Sequence, residues 1–238
     1  MRRLVLSAAV AAALAGGGGA LLANSAPAAT QSPTGLLSSA LHNAAARGSV
    51  HETESGGPTG RPPTLTGSSD ITNTGGTEVV HIARLGDADV ILIGSQAYLR
   101  STRAALGQLY KFPAPAAEQA AGRWISFARS TSSAFLNLVD GLTLPSALYD
   151  VTPQGALTET TPTKINGQAV IGIRGKAPTS YGFPTLTLYV SRSNSPVPVA
   201  ASYGGVKGTT AGDSFSRWGE RVKLTPPAGA IPRTSLSG

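Results

Sequence analysis

Residues 185–192 read Thr-Leu-Thr-Leu-Tyr-Val-Ser-Arg. Leu186, Leu188 and Val190 fall on one side of an extended chain and Thr185, Thr187 and Tyr189 on the other, because successive strand side chains point to opposite faces. Such alternation marks a strand with one apolar face and one polar face. Working outward, residues 197–203, 209–218 and 221–225 read as further strands of the same meander. Upstream, Asn166-Gly167 separates apolar-containing runs at 157–165 and 168–174. That dipeptide predicts a two-residue hairpin turn, since both of its positions must take positive φ. Beyond Pro226 the chain is rich in Pro, Ser and Gly, so residues 228–238 read as a flexible tail.

The first third of the chain repeats the strand pattern after one helix. Ser32-Pro33 places an N-cap before Pro at the first helical position, Leu37, Leu41 and Ala44 follow at helical spacing, and Gly48 closes the segment. Strands are then expected at 49–55, 64–73, 76–85, 87–94 and 96–101, separated by Gly and Pro clusters. Asp87–Gly94 carries a continuous apolar centre, which predicts a strand covered on both faces. The middle is helical at 102–110, 114–121, 132–142 and 144–149, interrupted by a short strand at 123–128 that carries Trp124. Strands at both ends with helices between them define an α+β plan, the helices lying on one face of an antiparallel sheet.

Of the 238 residues, 41% are hydrophobic and 13% charged, about half the ~25% charged content of ordinary soluble domains. Lys and Arg outnumber Asp and Glu 19 to 12, giving +7, or +5 with Arg2 and Arg3 set aside. The positive charges are scattered and not interleaved with aromatics, which argues against a nucleic-acid partner. There is no Cys, which excludes disulfides, thiolate metal sites, a cysteine nucleophile and a lipidated cysteine. Arg2-Arg3, the apolar run 4–14 and the small-x-small pattern at Ala26-Pro27-Ala28 read as a cleavable signal peptide over residues 1–28. Residues 29–227 then form a single exported domain, expected to be secreted or retained in the cell envelope.

Reactive chemistry is sparse. His42, His51 and His81 show no HExxH or i, i+4 pairing. His51 stands beside Glu52 and Glu54, but neighbouring strand residues face opposite ways, so no metal cluster is expected there. Asp87 and Asp89 share a face and read as the polar start of a strand. No GxSxG elbow, SxxK or phosphate-cradling glycine motif occurs. The expectation is a protein without catalytic residues, metal or cofactor. The informative feature is a run of apolar helical positions, Phe135, Leu138, Val139, Leu142, Leu144 and Leu148. Pattern alone fits two arrangements, a filled core or an apolar cavity for a ligand.

The ordered set of features resembles the LppX/LprG-type lipoproteins of actinobacteria, within the LolA-like superfamily. The N-terminal helix, strands around 78–83 and 90–94, Gln96-Ala97-Tyr98, the helical insert and Gly122-Arg123-Trp124 come first. Leu186-Thr187-Leu188-Tyr189-Val190, the turn with Pro196, and Phe215-Ser216-Arg217-Trp218-Gly219 carry the rest of the likeness, over roughly residues 34–227. A composition with 14 Arg against 5 Lys fits the same group of organisms. The resemblance implies a strongly curved antiparallel half-barrel with helices on its concave face. It further implies an apolar cavity, lined by the six residues named above, that holds a lipid or acylated molecule for transport or presentation at the envelope, with transient contact to a membrane surface. Trp124, Tyr189 and Trp218 match recurrent positions read as packing. The chain departs from the pattern in lacking the lipidated Cys. A ligand-sensing domain that contacts a membrane protein, and a secreted hydrolase, are the alternative readings; the sequence names no protein partner.

Overall fold

The structure, a computed structural model, describes residues 31–129, 133–178 and 182–236. The expected signal peptide lies outside the described residues. The first element is helix α1 (Pro33–Arg47), capped by the Ser32 hydroxyl, which accepts from the Gly35 N–H at 3.2 Å. Gly48 ends it in the left-handed region at φ 77°, a conformation that costs glycine nothing. Five strands follow as a meander: β1 (Ser49–Pro58), β2 (Leu65–Thr72), β3 (Gly75–Ile82), β4 (Gly86–Ile93) and β5 (Gln96–Ser101). Two short helices, α2 (Arg103–Gln108) and α3 (Ala114–Ala120), lead to β6 (Ile125–Ala128). Helices α4 (Ser133–Val139) and α5 (Leu144–Asp150) then cross to the second half of the sheet.

That half contains β7 (Gln154–Glu159), β8 (Thr163–Ile165), β9 (Gln168–Lys176), β10 (Thr185–Ser191), β11 (Pro198–Gly204) and β12 (Thr209–Ser216). All belong to one curved, open sheet of 13 strands, in the order β13-β6-β5-β4-β3-β2-β1-β12-β11-β10-β9-β7 with β8 also on β9. Every pairing is antiparallel except that of β6 with β13 (Ile231–Pro232). The two meanders meet where β1 pairs with β12, His51 opposite Ser216 and Pro58 opposite Thr209.

The half-barrel plan expected from the sequence is the one found, and the departures have local causes. The expected strand 157–165 is two strands, because Pro162 lacks the N–H that a ladder needs. The hairpin turn after β8 holds Asn166 at φ 50° and Gly167 at φ 81°, as its dipeptide requires. Residues 221–225 form no strand. The expected flexible tail 228–238 is instead docked as far as Leu236. The Ile231 N–H donates to the Trp124 carbonyl at 2.8 Å, Leu236 is buried, and the Arg233 guanidinium lies 4.6 Å from the centre of the Phe112 ring. Burial of Leu236 and partial burial of Ile231 act against the entropic cost of ordering the segment, although its composition reads as loop.

Candidate functional site

The inner face of the sheet follows from the register. Leu186, Leu188 and Val190 on β10 are fully buried and face the same way as Ala201, Tyr203, Ile173 and Phe215. Helices α1 and α5 pack on this part through Leu37, Ala40, Ala44, Leu144, Ala147 and Leu148. A second apolar group forms on the far side of the sheet's middle, where Val90, Leu92, Leu99 and Ile125 meet side chains of α2, α3, α4 and the tail. The interior therefore consists of two apolar lobes.

Between the lobes runs a polar row. Across consecutive strands the register places Phe215, Glu52, Ser69, Glu78, Val90, Leu99 and Ile125 side by side on one face. Glu52, Ser69 and Glu78 are all buried, and the Ser69 hydroxyl donates to the Glu78 carboxylate at 3.5 Å. Tyr110, in the loop after α2, lies close enough to feel Glu78. Burial foremost, and the Glu78 charge second, raise its phenol far above the ordinary value of 10.0. Buried charge is costly unless hydrogen-bonded, so this row is a strong constraint on what the interior can hold beside it.

The six sequence-derived residues do not form one patch. Phe135, Leu138 and Leu142 are buried in the lobe beside β4–β6, with Val139 half-buried against it. Leu144 and Leu148 are buried in the other lobe. Leu144 and Leu148 fall out of phase with the Phe135–Leu142 stripe, and Gly141, at φ 75°, ends the helical path between them. Thr143 makes a bridge to Thr72, which pins the crossing to the end of β2. Gly76 makes this close approach feasible: a Cβ there would sit 3.1 Å from the Leu142 carbonyl oxygen and 2.9 Å from that of Asp70. The acidic residues of the row were missed from sequence. Their signal was the period-two spacing of Val50, Glu52 and Glu54, which puts the glutamates on the face of a buried valine.

The histidines lie elsewhere. His51 faces outward, its Nδ1 2.7 Å from Asp70 Oδ1, and His81 pairs in the same way with Asp87 at 2.7 Å. Asp89 is held by Arg100, whose guanidinium also covers the Trp124 ring at 4.9 Å. Among the described residues no group of three or more His, Asp or Glu side chains could hold a metal ion. A polar cleft of about 560 Å³ lies between α1 and the β10–β11 turn, lined by Ser39, His42, Asn43 and Asn194 among others. Trp218 is a packing residue, its indole N–H donating to the Pro198 carbonyl at 3.1 Å and its ring 6.1 Å from that of Phe215.

This architecture is also that of two solved mycobacterial structures, LprF and the lipoprotein LppX. The chain superposes on LprF from Mycobacterium bovis with a TM-score of 0.52 at 15% identity, covering 83% of this chain and 97% of LprF. It superposes on the lipoprotein LppX from Mycobacterium tuberculosis with a TM-score of 0.50 at 15% identity, covering 82% of this chain and all (100%) of LppX. At that identity the likeness is one of fold. No family model and no curated protein sequence matches the chain.

Proposed function

We propose that this protein is an exported, non-enzymatic carrier that holds a lipid or acylated molecule against the inner face of its sheet at the cell envelope. The observation that supports this most directly is the interior itself. Helices laid across a curved sheet enclose two apolar lobes joined by one chain segment, Phe135 to Leu148. Hydrocarbon gains about 0.8 kcal/mol for each CH2 it buries, so such a surface retains an acyl chain without a dedicated polar contact. The Glu52–Ser69–Glu78 row splits the apolar surface, which suits a ligand with more than one hydrocarbon arm and a hydrogen-bonding group between them. The fold shared with LprF and LppX supports the same reading.

The test joins extraction to substitution. Organic extracts of the purified protein are expected to contain a stoichiometric lipid by mass spectrometry. Val139→Trp, at a half-buried position on α4, is expected to abolish that lipid while the melting temperature stays near wild type. A lower melting temperature with no lipid in either protein identifies the lobes as filled cores and overturns the carrier reading. Overpacking of that kind costs about 1–3 kcal/mol.

A further inference from the structure

On the outer face of the sheet, where β1 and β2 meet the segment after β12, lies a cavity of about 140 Å³. Its polar lining is His51, Asp70, Arg217, Glu220, Arg221 and Lys223, with Thr77 beside Asp70. The carboxylates there are already occupied. Asp70 accepts from Arg217 at 3.0 Å and is 2.7 Å from the His51 ring nitrogen, and Glu220 is 3.8 Å from the Arg217 guanidinium. Arg221 and Lys223 have no ion-pair partner among the described residues, and both are exposed. The uncommitted charge of the cavity is therefore positive.

The turn that shapes this cavity is held in place from several sides. Arg217 sits at φ 51°, in the left-handed region that an arginine enters only when its surroundings fix it there. The Gly219 N–H donates to the Ser49 carbonyl at 3.0 Å, and the Ser49 hydroxyl donates to the Glu220 carbonyl at 2.6 Å. Trp218 is anchored to β11. Arg217 is thus immobilised by two carboxylates, and Arg221 and Lys223 follow on a chain whose start is fixed.

We propose that this outer cavity is a binding site for a phosphoryl group, either free phosphate or the phosphate of a lipid headgroup. The volume corresponds to roughly five waters at ~30 Å³ each, room enough for a single tetrahedral oxyanion. Guanidinium forks and an ammonium are the side chains that match its oxygens, Arg in bidentate fashion and Lys as a point charge. The charged side chains of the site belong to the outer face, because strand alternation turns His51 and Asp70 away from Glu52 and Ser69, while Val50 of the inner apolar group forms part of the cavity's floor.

The experiment titrates the full exported chain with inorganic phosphate at low ionic strength, by calorimetry and by amide chemical shifts. Saturable binding is expected, with shifts centred on residues 217–223. The double variant Arg221→Gln/Lys223→Gln is expected to weaken it at least tenfold. Lys164→Gln/Lys207→Gln removes the same charge from distant exposed positions and is expected to leave it unchanged. Absence of saturable binding by the wild-type protein, or equal loss in both double variants, overturns the proposal. Vesicles of phosphatidylglycerol, compared with phosphatidylcholine, separate the two sources. Selective flotation with anionic vesicles that free phosphate competes away identifies the headgroup, and phosphate binding without flotation identifies the free ion.

Discussion

Leu142 and Leu144 are separated by a single residue, yet their side chains enter different lobes of the interior. Thr143 between them bridges to Thr72, and the Leu142 backbone rests against Gly76 on β3. At this crossing the chain passes from one apolar lobe to the other.

Gly76→Ala tests that arrangement. The added methyl would lie within 3.1 Å of backbone on two sides, where nothing can rotate away. A loss of about 1–3 kcal/mol is expected, as for overpacking in a core. Chemical denaturation measures it, and an unchanged midpoint would show that the crossing adapts freely.

Truncation before Ile231 tests the docked tail. Leu236 is 5% exposed, and full burial of a leucine contributes about 1.5–3 kcal/mol. The truncated protein is therefore expected to melt lower. A frayed tail would leave the transition where it is.

Tyr110 supplies a pH dependence. Its phenol is raised in the folded protein, so the unfolded chain releases this proton near the ordinary value of 10.0 while the folded one retains it. The stability tied to the neutral phenol is complete below pH 10.0 and is lost as pH rises above it. Tyr110→Phe is expected to flatten the alkaline decline. Glu78→Gln, which removes the second cause of the shift, is expected to lower the point at which Tyr110 ionises. Ultraviolet difference titration of each variant against wild type reads the tyrosinate directly.

Gly167→Val addresses the β8–β9 hairpin. No atom lies within 4 Å of a Cβ built there, so the penalty is one of backbone conformation alone, at φ 81°. A destabilisation of at least ~1 kcal/mol is expected. Melting at the parent temperature would show that the turn relaxes to another type.

The legible parts of the fold were those where one face is uniformly apolar. The residue types at 185–191 alternate without exception and Leu186, Leu188 and Val190 are fully buried, although Thr187 and Ser191 on the opposite face are buried as well. The Asn166-Gly167 turn depends on two φ values that few other residue pairs accept. The polar row was not legible, because β1 has polar residues on both faces: Glu52 and Glu54 on one, His51, Thr53 and Ser55 on the other. Val50 on the glutamate face is the one sequence hint, and packing of elements remote in sequence onto that face decides which side is covered. The lobe boundary was hidden for a related reason. The break between 132–142 and 144–149 was legible, since Leu144 and Leu148 fall out of phase with the Phe135–Leu142 stripe and Gly141 and Pro145 flank the turn, but spacing alone did not say that the two segments enter different lobes. The tail misled through composition, its two large apolar residues, Ile231 and Leu236, being outnumbered by Pro, Gly and Ser.

The seam between β1 and β12 also governs the order in which the molecule can assemble. Each meander grows by short hairpins between neighbouring strands, and local closures are fast. The pairing of His51 with Ser216 closes a loop containing most of the chain, so it carries the entropic cost of long-range contact. Until then β1 exposes a full row of ladder groups, which is an edge open to other chains. The same strand that unites the halves of the finished sheet is thus the slowest to be satisfied and the most exposed to aggregation on the way.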